Sequence, residues 1–345
     1  MILIVGAGLS GLLTGYLLKK EGIPFKILEA RNRVGGRIKT VYETNNAPIE
    51  MGATWFTHQH KYLIELLKEL DIAYFEQRMD KTVFYETSST SPVQIVQIPS
   101  QAPSYRVSGG TSSIINALRH KLDETDVLLN QSVKHIKINP NSVHVNAFEC
   151  DAVVLAIPPK LWSKKIVFEP HLPTDLINVA RQTQTWMEDS IKVALTYAQP
   201  FWEEMDLPST LFSNTGPITE LYDHSNHERS KYALCGFIDS SLKNLTYSDR
   251  RKHVINQLKN VFGVKAEEFT NYEECLWSNE ENTFEASDTF LLPHQNNGNP
   301  IYNNSLFNDK ILISSTEASS EFPGYMEGAV HSANIIAKKI TKAQL

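Results

Sequence analysis

The sequence predicts an α/β protein whose two ends build one domain around a parallel sheet, while the middle builds a separate β-rich unit. Three observations carry this. The chain opens with a βαβ unit, two further apolar runs read as buried strands at 151–157 and 310–314, and residues 190–197 alternate as a strand of a different kind of sheet.

Ile2 to Val5 is an unbroken β-favouring run, the pattern of a strand buried on both faces. Gly6-Ala-Gly8-Leu-Ser10-Gly11 follows, then Leu12 to Lys20 with helical apolar spacing. Gly22-Ile-Pro24 breaks that helix, and Phe25-Lys-Ile-Leu-Glu29 reads as a second strand. Residues 60–70 form an amphipathic helix. Residues 80–105 are rich in Ser, Thr, Pro and β-formers, which suits strands and loops. Ser108-Gly-Gly-Thr-Ser opens a helix to about His120, and short strands are expected at 127–129, 132–138 and 143–148. Asp151 to Ile157 is a buried strand that Pro158-Pro159 ends. In 190–197, Ile191, Val193, Leu195 and Tyr197 share one face, and Ser190, Lys192, Ala194 and Thr196 share the other. A helix is expected over 249–262 and a last one from Met326 to Ile340.

Composition narrows the function classes. With 41% hydrophobic and 21% charged residues the chain is neither disordered nor fibrous. A net charge of −6 argues against nucleic acid or an anionic membrane as partner. No apolar stretch approaches the roughly 18 residues of a membrane span, and the N-terminus lacks the basic region of a signal peptide. The three cysteines, Cys150, Cys235 and Cys275, have neither metal-knuckle nor redox-pair spacing. A soluble cytoplasmic protein is the expectation. Oligomeric state is not legible.

Gly6, Gly8 and Gly11 match GxGxxG between a strand and a helix, the context that gives the motif meaning. The first glycine permits the turn, the second lets a pyrophosphate approach the backbone, and the third lets helix and strand pack. The helix N-terminus presents free N–H groups to phosphate. Glu29 stands at the end of the second strand, where an acid grips a ribose hydroxyl. The motif alone leaves NAD and FAD open. Glu29-Ala30-Arg31-Asn-Arg-Val-Gly-Gly36-Arg37 follows, and Arg37 offers a planar fork for a phosphate.

This last segment resembles the flavin-containing amine oxidase superfamily, and the likeness recurs in order along the chain. Glu50-Met-Gly52-Ala53-Thr54-Trp55 is similar to the family's flavin-ring segment, most of all in polyamine oxidases. Val133 stands where the family contacts adenine. Val154-Leu-Ala-Ile-Pro-Pro159, Ser190-Ile-Lys192 through Pro200-Phe-Trp202, Trp277-Ser, Thr316-Glu317 and Pro323-Gly-Tyr325-Met326-Glu-Gly328 complete the series. The likeness is thin at 77–105 and 203–275.

The resemblance implies a Rossmann-like FAD-binding domain, discontinuous over 1–76, 106–181 and 278–345. A mixed-sheet substrate domain is inserted as 77–105 and 182–277. It implies noncovalent FAD held by Gly6, Gly8, Ser10, Gly11, Glu29, Ala30, Arg31, Gly36, Arg37, Gly52, Ala53, Thr54, Trp55, Val133, Glu317 and Met326. No metal is implied. The expected reaction is oxidation of an amine C–N bond to an imine, with O2 as acceptor and H2O2 as product. The cofactor supplies the chemistry, so no catalytic triad is expected. Lys192 matches the lysine that reaches flavin N5 through a water, and Tyr325 matches one wall of an aromatic cage. The N-terminus of the last helix would face the flavin edge that becomes negative on reduction.

Departures from the family pattern are equally specific. The segment after Trp277 has no tyrosine for the second wall, so Phe284 or Phe290 is a candidate substitute, and it lacks the cysteine that links flavin covalently. Ser315 stands where relatives carry glycine. His58 and His60 lie near a polyamine oxidase histidine but out of register, and are expected as surface or capping residues. Glu280 and Glu281 either face a cationic substrate or are solvated. A carboxylate-bearing substrate would need an arginine, for which Arg78, Arg106 and Arg181 are candidates by location. Two further readings remain: a related flavin enzyme on a non-amine substrate (a desaturase or a renalase-type oxidiser of NAD(P)H), or a low-turnover flavin-bound scaffold.

Overall fold

Ile2–Val5 pairs in parallel with Phe25–Leu28 on one side and Ala152–Leu155 on the other, in a computed structural model that describes residues 1–343. Ile311–Ile313 and Val127–Leu128 extend this to a five-stranded parallel sheet. Strand alternation explains why such strands read as continuous apolar runs. Ile2, Ile4, Ile27 and Val154 enter one core, with the helices Leu9–Lys20, Ser112–Lys121 and Met326–Ala343. Leu3, Val5, Leu28, Val153 and Leu155 enter a second core on the opposite face.

That opposite face is covered by a four-stranded mixed sheet and two helices, Pro159–Lys165 and Thr174–Arg181. Two expectations change here. Pro158-Pro159 does end the buried strand, but Pro159 also takes the first position of a helix, where its missing N–H costs nothing. The run 143–148 is not one strand: Asn146 adopts a φ of 50° and turns the chain, so Val143–Val145 and Phe148–Cys150 pair as a hairpin.

The middle of the chain forms a seven-stranded mixed sheet drawn from Thr82–Glu86, Gln94–Gln97 and five strands between Ile191 and Leu276. From the edge strand Phe269–Leu276 inward, Ile191–Tyr197, Tyr232–Ile238 and Ile218–Asp223 follow in antiparallel order. Ile191, Val193, Leu195 and Tyr197 pack beneath the helix Tyr247–Phe262. Thr246 accepts the Asp249 N–H at that helix's start, and Gly263, at φ 84°, follows its end. The other face of the sheet turns toward the first domain. Ala194, Cys235 and Cys275 pack there against Ala47, Ile49 and Met51. Lys192 lies on this second face, so the strand is buried on both sides and not on one.

Candidate functional site

The glycine turn and the end of the second strand are locked together by one carboxylate. Glu29 is buried and accepts the Ala7 N–H at 2.8 Å and the Arg31 N–H at 2.9 Å. Gly11 packs the helix against the turn so closely that a Cβ there would lie 1.9 Å from the Gly6 carbonyl oxygen. Gly8 is different. A Cβ on it would meet only the Gly36 Cα, at 3.9 Å, and so would project into open space.

That space is one end of a cavity of about 1480 Å³, above the roughly 300–1,000 Å³ of ordinary small-ligand clefts. It runs from the glycine turn past residues 35–38 and 52–55 to the seven-stranded sheet. Gly6, Gly8, Ser10, Glu29, Ala30, Arg31, Gly36, Arg37, Gly52, Ala53, Thr54, Trp55, Val133, Lys192, Tyr325 and Met326 all line it. Two expected contacts do not. Gly11 serves packing behind the turn. Glu317, fully buried, lies behind Arg37, with its carboxylate oxygen 2.7 Å from Arg37 Nη2 as an ion pair without an aligned hydrogen bond. It fixes the guanidinium and does not itself face the cavity.

The cavity wall retains unsatisfied polar atoms. Arg37 Nη1 and Ser315 Oγ are buried without partners, on residues that line it. Buried polar groups are rarely left so, and both suit phosphate or ribose oxygens. With the open space beside Gly8, they fit a dinucleotide. Arg31 turns outward to Glu280 Oε2 at 3.0 Å and to Thr283 Oγ1, tying segment 280–283 over this end of the site. Glu280 is therefore neither solvated nor substrate-facing: Arg31, Arg33 and Lys39 surround it, while Glu281 is exposed.

At the other end Lys192 is only 2% exposed. Its Nζ donates to the Gly52 carbonyl at 2.7 Å and to Thr54 Oγ1, and it lies 4.8 Å from the Trp55 ring centroid and 5.5 Å from that of Phe237. Burial pushes its ammonium below the usual lysine value, opposed by the nearby Cys235 and Glu50. A lysine on an alternating strand is ordinarily solvated. Here the first domain covers the second sheet face, which a strand read alone does not reveal.

Tyr325 precedes the last helix and keeps 37% of its surface open, with a face on the cavity. Neither expected second aromatic stands opposite it. Phe290 is 86% exposed, and Phe284 lies outside the cavity, 6.0 Å from Lys160 Nζ. Three rings stand beside Tyr325: His294 at 5.6 Å, His60 at 5.8 Å and Trp186 at 6.0 Å between centroids, and of these Trp186 lines the cavity. His294 stacks on Trp186 at 4.0 Å and steadies it. Trp186 sits in the loop before the lysine strand, where no periodicity marks it.

Other candidates resolve on geometry. His58 is exposed, and His60 occupies the N-cap position of the helix Lys61–Glu69 but is not a surface residue. It is buried with its ring 4.6 Å from Phe322 and 5.8 Å from Tyr325, forms no capping bond, and burial lowers its pKa. Arg78 reaches the cavity but is engaged by Asp80 at 3.3 Å and Glu203 at 2.6 Å. Arg106 donates to the Ser225 carbonyl behind the wall, and Arg181 is exposed on a helix. None is free for a substrate carboxylate. The three cysteines are buried and none lines the cavity. Among the described residues no cluster suits a metal ion, and no helix is long and apolar enough to cross a membrane.

The chain matches the family model described as flavin containing amine oxidoreductase over residues 9–106 and 85–341. It is 22% identical to the probable flavin-containing monoamine oxidase A of Dictyostelium discoideum, across 98% of this chain and 97% of that one. It is also 22% identical to human flavin-containing amine oxidase B, across 99% of this chain and 86% of the other. Among solved structures, cyclohexylamine oxidase from Brevibacterium oxydans superposes with a TM-score of 0.86 at 19% identity, covering 99% of each chain. Wild-type putrescine oxidase bound to putrescine gives 0.83 at 24% identity, covering 99% of this chain and 98% of that one. These likenesses establish the fold.

Proposed function

The chain belongs to the flavin-containing amine oxidoreductase family, and from that premise we propose that it is an FAD-dependent oxidase of amines. It would convert the C–N bond of a primary or secondary amine to an imine, with O2 as electron acceptor. The observation that carries the reading is Lys192, buried between Trp55 and Phe237 at the far end of the cavity that begins at the glycine turn.

FAD held there would supply a two-electron acceptor for the carbon next to nitrogen, and O2 with two protons would carry those electrons off as H2O2. The chain's residues would divide the remaining work. Gly6, Gly8 and the helix N-terminus at Leu9 and Ser10 would receive the pyrophosphate, helped by Arg37 Nη1 and Ser315 Oγ. Glu29 takes the ribose, Ala30, Arg31 and Val133 border the adenosine, and Gly52 to Trp55 with Met326 border the ring. Lys192 has two of its N–H bonds committed to Gly52 and Thr54. Its remaining position is left to hold a water at the cavity floor and exchange a proton with it. Tyr325 and Trp186 present aromatic faces that favour a cationic or amine group and exclude bulk water. The last helix begins at Met326, which lines the cavity, so its N-terminal N–H groups would serve the flavin edge that becomes negative on reduction. The three unpaired, buried cysteines suit a reducing, cytoplasmic setting.

The test is peroxide formation by the FAD-loaded protein with a panel of monoamines, diamines and amino acids. Equimolar H2O2 and oxidised amine are expected. Peroxide from NAD(P)H alone, with every amine inert, would favour the non-amine reading. Because no cysteine lines the cavity, acid precipitation is expected to leave all flavin in the supernatant. Flavin retained in the washed pellet would contradict noncovalent binding.

A further inference from the structure

The loop that leads into the lysine strand turns a carboxylate into the middle of the cavity. Met187 there holds a φ of 59°, a left-handed conformation that a residue with a side chain seldom adopts. Ser190 Oγ ties the turn by donating to the Met187 carbonyl at 2.8 Å. Trp186 and Glu188, on either side of Met187, both line the cavity. Trp186 stands beside Tyr325, and Glu188 is 8% exposed.

The two carboxylate oxygens of Glu188 differ. Oε1 accepts from Lys160 Nζ at 2.5 Å, and Lys160, itself buried, also donates to Ser287 Oγ at 3.2 Å. Oε2 is buried and has no partner. A buried ion pair is favourable only when its remaining lone pairs are also satisfied, and this one is half complete. Burial pushes the Glu188 carboxyl above its usual value, opposed by Lys160 and by Arg37.

Neighbouring residues fix where along a dinucleotide the free oxygen falls. Arg37, whose charge reaches Glu188, follows the Gly35 segment that bridges Gly8 at the glycine turn. Lys192, four residues after Glu188, stands at the ring end. Glu188 therefore lies between the phosphates and the ring. A phosphate offers only acceptors and repels a carboxylate. The ribose hydroxyls belong to the Glu29 end. The polyol chain that joins pyrophosphate to ring carries hydroxyls, and each of them can donate. Lys160 neutralises the charge that would repel the phosphates, so the pair presents an acceptor without net charge.

We propose that Glu188 is a cofactor-binding residue whose Oε2 accepts a hydroxyl of the FAD ribityl chain, with Lys160 as its positioning partner. Through Ser287 the same pair fastens the segment after Trp277 beside the bound cofactor. This rests on the FAD reading and not on the amine reaction.

The experiment measures binding of FAD and of ADP to the apoprotein by calorimetry, because ADP carries the adenosine and pyrophosphate but no ribityl chain. Glu188→Gln alone would leave the Lys160 charge buried and unpaired, so both members are changed together. Lys160→Met with Glu188→Met keeps the bulk and removes the acceptor. It is expected to weaken FAD binding at least about tenfold, the scale of one hydrogen bond to a charged group, and to leave ADP within about threefold of native. Lys160→Met with Glu188→Gln returns an acceptor oxygen and is expected to recover at least about threefold. FAD affinity unchanged in both double variants would overturn the proposal. So would equal losses for FAD and ADP, or no recovery with glutamine. Native protein that binds ADP and not FAD would sink the FAD reading and the proposal with it.

Discussion

Replacing Gly8 with valine is expected to leave the protein folded and without FAD. Gly8 has φ −75° and ψ −177°, an extended conformation open to any residue. Its added Cβ would meet nothing closer than the Gly36 Cα at 3.9 Å. The polypeptide therefore has no reason to reject a side chain there. The cofactor does, because the space filled is the approach of the pyrophosphate to the backbone and the helix N-terminus. At least a hundredfold weaker FAD binding is expected, about 2.8 kcal/mol at 1.4 kcal/mol per tenfold. Far-UV circular dichroism of the apoprotein should match the native chain. Gly11→Ala supplies the contrast, because its Cβ would strike the Gly6 carbonyl at 1.9 Å and disturb folding as well. A Gly8→Val protein that retains stoichiometric FAD would show that the glycine turn does not hold the cofactor.

Lys192→Met is expected to slow the reductive or oxidative half-reaction at least tenfold, roughly 1.4 kcal/mol of transition-state stabilisation. Methionine keeps the length of the side chain and its packing between Trp55 and Phe237. It removes both donors to Gly52 and Thr54 and the group left to hold a water. Flavin content should be unchanged, because Lys192 stands at the sheet end of the cavity and not at the glycine turn. Stopped-flow measurement of each half-reaction, with flavin stoichiometry beside it, separates lost chemistry from lost cofactor. Native rates in both half-reactions would remove Lys192 from the mechanism.

Much of the first domain was legible because its signals are local. The βαβ opening, Glu29 and the buried strands at 152–155 and 311–313 follow from apolar runs and glycine spacing. What escaped depends on tertiary contact. The burial of Lys192 follows from the first domain covering its sheet face, and nothing in an alternating strand announces that. The sequence points to an aromatic partner for Tyr325 after Trp277, yet the cavity-lining ring beside it is Trp186, from a loop more than ninety residues earlier. Glu317 was expected to touch the cofactor, but it acts through Arg37. The helix at Pro159–Lys165 hid behind a proline pair that both ends a strand and starts a helix. Asn146 split an expected strand because an asparagine accepts a left-handed φ.

The most direct test of the central claim is the anaerobic absorbance spectrum of the FAD-loaded protein, mixed in turn with monoamines, diamines, amino acids and NAD(P)H. The account predicts that an amine bleaches the oxidised-flavin band and that admitting O2 restores it with release of H2O2. Bleaching by NAD(P)H alone, or no flavin band after FAD is added, would contradict it.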